Sequence, residues 1–174
     1  WLRARLGSSV ASDHYSPGLI ARLALQLHLI REGSKDALDG APVEMAFAIE
    51  PVFERGDDRQ AATAWCRSLD AMYRSWADKR RMHVLEQSIA GTDMPVLVVS
   101  GFGAHRQLMR ESGLHSWEAS EGASGRVTVR VLVAAVPLGD IPAGKLRTVV
   151  AKVIADAPRE STVVRRYREQ PPLV

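Results

Sequence analysis

A loop with glycine and lysine is the first segment whose residue types could do chemistry. Gly139, Gly144 and Lys145 have the spacing of a phosphate-binding loop, in which backbone N–H groups and a lysine hold nucleotide phosphates. The residue after that lysine must be Ser or Thr to hold Mg²⁺, but here it is Leu146. Leu146 also belongs to an apolar helical stripe, which assigns it to the core. A nucleotide-dependent enzyme is therefore kept only as a third alternative.

The histidines and the single cysteine form no pattern for a metal site or a nucleophile. Cys66 has no cysteine partner and lies among apolar residues, which is typical of a packed side chain. Ser100 is not followed by the spacing of a nucleophile elbow, and the sequence offers no Ser, His and acid constellation. We therefore predict that the chain is not an enzyme and has no catalytic residue, metal, cofactor or small-molecule substrate. The histidines are His14, His28, His83, His105 and His115.

The composition indicates a folded domain that does not cross a membrane. The hydrophobic fraction is 46% and the charged fraction is 25%, both close to the globular average. The longest nearly uncharged apolar run, residues 127–136, is shorter than the roughly 20 residues that span a bilayer. A single cysteine and no signal peptide predict a cytoplasmic protein, and the missing initiating methionine predicts a piece of a longer chain. The net charge of +3 permits nucleic-acid binding without requiring it.

The first element that could position these residues is a helix beginning at Ser16 and Pro17. A capping serine before a proline in the first turn favours a helix start, and apolar residues follow at helical spacing. We expect Gly33 to end the helix and the turn-forming residues 33–42 to make a linker. The predicted organisation is an N-terminal helical segment and linker at 1–40, followed by an α+β domain at 41–174. The apolar residues of this helix are Leu19, Ile20, Leu23, Leu27 and Ile30.

The longest predicted helix has its apolar residues three and four positions apart, which places them on one side. It is expected to end near a basic cluster, where cations suit the negative end of the helix dipole. The apolar residues are Trp65, Leu69, Met72, Tyr73 and Trp76.

Alternating and unbroken apolar runs predict strands around this helix. They are expected from Val43 to Pro51, which should end the first strand, and then over residues 83–88, 95–100 and 126–136. The run at 95–100 should be buried on both faces.

The remaining elements complete the predicted fold. A short helix is expected at 104–110, an irregular loop at 113–125, a last helix that Ala157 and Pro158 end, and a closing strand at 162–167. We therefore predict an α+β fold in which a mixed, mainly antiparallel sheet packs against two or three helices.

Three segments resemble the central, codon-reading domain of bacterial class I peptide chain release factors. Residues 69–80 are similar to the long helix of that family, with a Met-Tyr pair, an Arg and a Trp-Ala pair before a basic end. Residues 103–115 are similar to the run into the family's Glu-Ser/Thr-Gly-Val-His-Arg signature. Gly125-Arg126-Val127 falls where the family has Gly-Arg-Ile. The order and spacing of these segments agree over residues 43–136, and the resemblance implies the release-factor central-domain fold.

The same resemblance does not extend to the family's activity. Gly-Gly-Gln, the motif with which the family positions water to hydrolyse peptidyl-tRNA, is absent from the chain. Residues 163–174 instead resemble the segment with which the family returns from its catalytic domain to its central domain. The family's codon-discriminating loop corresponds here to residues 117–120, with neither the Pro-x-Thr nor the Ser-Pro-Phe pattern, and the signature arginine is Ser116. The resemblance therefore implies a non-catalytic module with altered stop-codon reading.

The partner that the resemblance implies is the ribosome or another RNA. Candidate RNA contacts are the basic cluster on the long helix, the retained signature histidine, an aromatic residue expected in the irregular loop and a retained arginine. They are Arg74, Lys79, Arg80, Arg81, His115, Trp117 and Arg126.

Release-factor-like domains without the catalytic region also occur as appendages of Clp-type AAA+ ATPases. The resemblance thus implies an adaptor, directed to a ribosome, an RNA or a protein client, with an ATPase upstream in the same chain. The main alternative is a protein-interaction or oligomerisation domain of such an ATPase with no RNA partner. Acidic residues interspersed among the arginines bear on this choice, since RNA binding requires a contiguous basic face.

Overall fold

Helices are interspersed with single strands and pairs of strands along the described part of the chain. The computed structural model describes residues 16–53, 59–92, 94–118, 126–137 and 141–168. In chain order the elements are α1 (Pro17–Leu38), β1 (Glu44–Val52), α2 (Arg59–Lys79), β2 (His83–Gln87), β3 (Val96–Ser100), α3 (Ala104–Met109), β4 (Gly113–Glu118), β5 (Arg126–Ala135), α4 (Ala143–Ala155) and β6 (Val163–Arg168). The strands form one sheet in the order β2-β3-β1-β5-β4-β6. Neighbouring strands are antiparallel except β4 and β6, which are parallel. The predicted α+β class with a mixed, mainly antiparallel sheet is confirmed.

Helices α2 and α3 cover one face of the sheet. β1 contributes Met45, Phe47 and Ile49 to the apolar cluster on this face, and α2 contributes Leu69 and Tyr73. The rings of Phe47 and Tyr73 lie 4.5 Å apart. Burial of large side chains from both layers is what holds α2 against the sheet.

The packed side of α2 is rotated slightly from the predicted one. Trp65 and Trp76 are half-buried at its flanks and Met72 is exposed. The fully buried stripe is Ala62, Cys66, Leu69, Tyr73 and Ala77. The prediction that Cys66 serves packing is confirmed by its burial.

Helix α4 covers the opposite face. Ala46 and Ala48 of β1 point to this side, where Val150 and Ile154 of α4 pack on them. The predicted apolar stripe of the last helix is therefore confirmed. Every residue from Val96 to Val99 in β3 is buried, since the two sides of this strand face the two apolar clusters.

The prediction that Gly33 ends helix α1 is wrong. The prediction of a linker is also wrong for residues 33–38, which form the last turns of this helix. The helix continues to Leu38. Gly33 lies against the Phe102 ring and the backbone of Gly103, and a Cβ at Gly33 would approach a Phe102 ring carbon to 2.2 Å. Gly33 thus allows α1 to lie close to Phe102 and Gly103, whereas the sequence alone predicts that a glycine here ends the helix. The division of the chain near residue 40 stays a prediction.

Pro51 lies inside β1, so the prediction that it ends the strand is wrong. β1 continues to Val52, and Pro51 pairs with Val129 of β5. β3 pairs with β1 only as far as Phe47. Among the described residues β5 is the strand that pairs with β1 at Pro51, and a proline is tolerated where a strand is paired on one side.

The segment from Gly113 to Glu118 is strand β4, not the start of an irregular loop. β5 pairs with it on one side and β6 on the other. These two partners satisfy the backbone of a segment whose glycine and serine give it a weak strand signal. Trp117 consequently lies in a strand, between Val127 and Tyr167 in register.

Several predicted features lie outside the described residues. They are His14, residues 119–125 of the predicted loop with Ser120 of the discriminator segment, Gly139 of the phosphate-loop pattern, and residues 169–174 of the closing segment. Among the helices that are described, none combines the length and apolar character needed to cross a membrane.

Candidate functional site

A groove of about 450 Å³ lies where α1, α2, α3 and β6 meet. Ligand pockets of proteins commonly enclose ~300–1,000 Å³, so this groove has room for a ligand group. Its apolar wall includes Leu25 of α1 together with Met72 and Trp76 of α2. Its charged groups are Arg80, Arg110, Glu111 and Arg165.

Glu111 is the centre of a polar network in this groove. Tyr73 donates its hydroxyl hydrogen to Glu111 Oε2 over 2.9 Å. Arg165 of β6 donates from Nε to Oε2 at 3.1 Å and from Nη2 to Oε1 at 2.5 Å. This two-pronged pairing ties β6 to the end of α3, and a paired fork of this type is among the stronger contacts available to a carboxylate.

His115 extends the network into the sheet. Its Nε2 lies 2.9 Å from the Glu111 carbonyl oxygen, which can only accept a hydrogen bond, so Nε2 carries the hydrogen. Nδ1 lies 3.2 Å from the Tyr167 hydroxyl and accepts from it. The Tyr167 ring in turn packs edge-on against Trp65, with centroids 4.9 Å apart. The imidazole is therefore a neutral, fully enclosed connector between α3, β4 and β6.

Burial sets the direction of most pKa shifts in this network. It lowers the pKa of His115, outweighing the hydrogen bond to the Glu111 carbonyl, and it raises the pKa of Tyr73 and Tyr167. Burial would also raise the pKa of Glu111, but hydrogen bonds from Arg165 and Tyr73 outweigh it, and the pKa is held below its usual value. Glu111 is thus ionised and His115 neutral at pH 7.

Arg80 stands apart from the other arginines of the groove. Arg165 pairs with Glu111, and Arg110 with Glu32 at 2.7 Å, whereas Arg80 has no carboxylate partner among the described residues. Its guanidinium carbon lies 4.8 Å above the Trp76 ring. Burial lowers the pKa of Arg80, and its Nε is enclosed without a hydrogen-bond partner in the described structure.

The end of α2 fixes where this arginine lies. The Met82 N–H donates to the Ala77 carbonyl at 3.0 Å and the Arg81 N–H to the Asp78 carbonyl at 2.8 Å. This is the Schellman ending of a helix, which places the residue after the cap in the left-handed region. That residue is Arg81, with φ of 54°, where a glycine is usual. Arg81 therefore keeps a cationic side chain at a position where the Cβ strains the backbone.

Helix α1 is positioned over the groove by charged contacts to α3. Asp36, which is buried, accepts a hydrogen bond from the Arg106 N–H at 3.1 Å. Arg106 Nε lies 2.9 Å from Asp36 Oδ1 without hydrogen-bond alignment, so this second contact is one of charge. Arg106 also pairs with Asp39. The wall that α1 gives the groove thus depends on a small polar interface.

The candidate RNA contacts divide into two groups. Trp117 is a strand neighbour of Tyr167, whose ring contacts Trp65 near the start of α2. Lys79 and Arg81 lie at the other end of the same helix, which at 1.5 Å per residue puts the groups roughly 20 Å apart.

Several of these candidates are already engaged within the chain. Arg74 donates to Asp70 over 2.6 Å and also pairs with Glu86. Arg126 donates from Nε to Ser116 Oγ over 2.7 Å. His115 is 0% exposed and cannot touch an RNA in this structure, so its prediction as an RNA contact is corrected. Of the seven candidates, Lys79 and Arg81 are exposed side chains for which the described residues offer no carboxylate.

Sequence reasoning missed Glu111, Arg165 and Tyr167 as members of one site. Glu111 begins the Glu-Ser-Gly segment, and the other two lie in the closing strand, more than fifty positions away. The parallel pairing of β6 with β4 brings them together, and no local pattern predicts that pairing. The closing strand carries three arginines, Arg165, Arg166 and Arg168, and this cluster of cations does not name a partner.

No metal site accompanies the network in the part of the chain that is described. Across those residues there is no group of three or more His, Cys, Asp or Glu side chains that could hold an ion. The network therefore consists of neutral aromatic hydroxyls, one imidazole and one arginine-carboxylate pair.

Comparisons with known proteins return a likeness of fold. No family model matches the sequence, and no curated protein matches it. Among solved structures the chain is similar to RF2 of Thermus thermophilus, with 20% sequence identity, a TM-score of 0.44 and coverage of 83% of this chain. The chain spans 45% of the length of that protein. At this identity and TM-score the likeness is one of fold at most.

Proposed function

We propose that this chain is a non-catalytic, release-factor-like binding module that recruits another protein. The observation that carries the proposal is the row of apolar side chains that α1 leaves in solvent. Leu27 is 67% exposed, Ile30 is 57% exposed and Ile20 is 51% exposed. Exposed apolar side chains that lie side by side in this way often mark a surface that binds another protein.

The charge distribution supports a protein partner over an RNA partner. An RNA-binding face needs unpaired cations in a continuous array. Here Arg74, Arg130 and Arg168 each pair with a carboxylate of the same chain. The predicted adaptor role directed to a client, with an upstream ATPase in a longer protein, belongs to this proposal.

An affinity purification from native lysate tests the choice of partner. The full-length protein, tagged, should retain a protein partner after RNase treatment. Replacement of Leu27 and Ile30 by Ser should release that partner, because it removes the apolar contact area. Gln26→Ser, on the same helix at an exposed position, is the matched control and should retain it. A partner that disappears with RNase would overturn the proposal.

RNA recruitment is the second candidate, supported by the exposed Lys79 and Arg81 at the end of α2. Each neutralised phosphate adds a slope of about −0.7 to −0.9 to log affinity against log salt. Replacing Lys79, Arg80 and Arg81 together by Ala should therefore flatten the slope by about two to three units. If the wild-type protein binds no RNA at low salt, this candidate is rejected.

The absence of catalysis is part of the proposal. The chain contains no Gly-Gly-Gln, and the glutamine of that motif is what the resemblance assigns to positioning water. Ribosomes programmed with each stop codon and loaded with labelled peptidyl-tRNA should release no more peptide with this protein than with buffer. Release well above the buffer level would contradict the non-catalytic assignment.

A further inference from the structure

We propose that the groove between α1, α2, α3 and β6 binds an acidic, apolar segment of the partner polypeptide, with a carboxylate of that segment on Arg80 and an apolar side chain against Trp76. This inference rests on the proposed protein-binding function and deepens it by naming the chemistry of the partner. The occupant follows from the charge and the shape of the groove.

The charge of the groove calls for an anion. Three arginines and one carboxylate line it. Glu111 neutralises Arg165 in an ion pair, and Glu32, which does not line the groove, neutralises Arg110 in another. The positive charge that remains unmatched by the described residues is that of Arg80.

Arg80 is also held ready for a partner. The Trp76 ring lies against its guanidinium on one side, with 4.8 Å between the guanidinium carbon and the ring centroid, and this contact restricts where the guanidinium lies. The Schellman ending of α2 fixes the backbone at the same point. An arginine held in this way loses little conformational freedom when a carboxylate binds, and its planar fork matches a carboxylate geometrically.

The apolar wall calls for more than a free anion. Leu25 is 52% exposed and Met72 is 40% exposed, and both line the groove together with Trp76. These side chains come from two neighbouring helices, and such a surface accepts the apolar face of a peptide. At 3.6 residues per turn, Leu27 and Ile30 lie roughly 140–160° around α1 from Leu25, so they form a second apolar surface on the other side of the same helix.

A pair of fluorescent peptides tests the assignment by polarisation. The acidic probe carries Leu and Phe at helical spacing with Asp and Glu between them, and the amide probe replaces each acid by Asn or Gln. The wild-type protein should bind the acidic probe about tenfold more tightly than the amide probe, because only the acidic probe supplies the counter-charge.

Two arginine variants with the same net charge locate the effect. Arg80→Gln should lose about tenfold in affinity for the acidic probe and leave the amide probe nearly unchanged. Arg81→Gln removes the same charge one residue away, outside the groove lining, and should change neither. Leu25→Ala should weaken both probes alike. Thermal melts check that each variant is folded, and if Arg80→Gln is not, Arg80→Lys and Leu25→Ala carry the test.

Three outcomes would overturn the inference. In the first, the wild-type protein binds the two probes equally well or binds neither. In the second, Arg80→Gln and Arg81→Gln lose affinity for the acidic probe equally. In the third, naphthoate displaces the acidic probe as efficiently as unlabelled peptide does, which would make the groove a small-acid site. If the lysate partner stays resistant to RNase and dependent on Leu27 and Ile30 while one of these occurs, only the groove assignment falls. An RNase-sensitive partner would instead remove the proposed function itself.

Discussion

Helices α1 and α2 are similar in length but are held to the rest of the molecule by different physics. α2 buries Leu69 and Tyr73 in the apolar cluster beneath the sheet. The buried residues of α1 are Glu32, Gly33 and Asp36, two carboxylates and a glycine. The apolar residues of α1 that helical spacing would assign to a core are instead largely exposed.

This difference shows why amphipathic spacing does not by itself name the packed side of a helix. On α1 a glycine contact and ion pairs with α3 orient the helix, and its apolar side remains available. On α2 apolar area decides the orientation, and the side chains left outside form one wall of the groove. One helix is thus part of the core and the other presents a surface.

The largest effect that separates the two helices is expected from Leu69→Ala. Leu69 is fully buried, and emptying such a site costs about 2–5 kcal/mol in the free energy of unfolding. Urea denaturation followed by circular dichroism measures the change. Arg67→Ala, on the exposed side of the same helix, should stay within about 0.5 kcal/mol of wild type. If the Leu69 variant did so too, the packed side of α2 would be misassigned.

A smaller effect, confined to α1, is expected from Asp36→Ala. The substitution leaves Arg106 without its buried partner, which costs about 1–3 kcal/mol because Arg106 is itself partly solvated. Hydrogen exchange should show the amides of α1 exchanging about tenfold faster or more, with α2 unchanged.

Asp39→Ala provides the control for that experiment. Asp39 also pairs with Arg106 but is 61% exposed, so its loss should cost less than about 1 kcal/mol. Equal acceleration in both variants, or faster exchange spread over α2 as well, would contradict an α1 held chiefly through Asp36.

The contrast between the helices also marks how far sequence reasoning reaches. Periodicity predicts α2, α4, β3 and the class of the fold, because burial of regular apolar patterns dominates those elements. It misreads Gly33, whose role depends on the contact with Phe102. It also misreads Pro51, whose role depends on how far β3 pairs with β1. The groove was missed because Glu111 and Arg165 meet only through strand pairing distant in sequence. Tertiary partners, not local propensity, decide each of these positions.

The polar network beside α2 should give the fold a pH dependence that α1 does not share. Burial lowers the pKa of His115 in the folded state, so below pH of about 6.5 the unfolded chain takes up that proton first. The stability contributed by the neutral imidazole is therefore present at pH 7 and falls as the pH drops toward the lowered pKa. Denaturation of wild type and His115→Gln at pH 7 and pH 5 measures the difference. The variant should lose less stability than wild type over this interval, and an equal loss would exclude His115 as the cause.

The smallest effect concerns the backbone where α2 ends beside the groove. Arg81 has φ of 54° in the Schellman ending, and a residue with a Cβ is strained there by ~1–2 kcal/mol relative to glycine. Arg81→Gly relieves the strain but gives the unfolded chain more freedom, which offsets ~0.4–1 kcal/mol. A net stabilisation of about 0.5–1 kcal/mol is expected by urea denaturation. Arg81→Ala removes the same charge and keeps the Cβ, so it should give no such gain. If the alanine variant is stabilised as much as the glycine variant, relief of charge repulsion in the basic cluster, rather than backbone strain, accounts for the change.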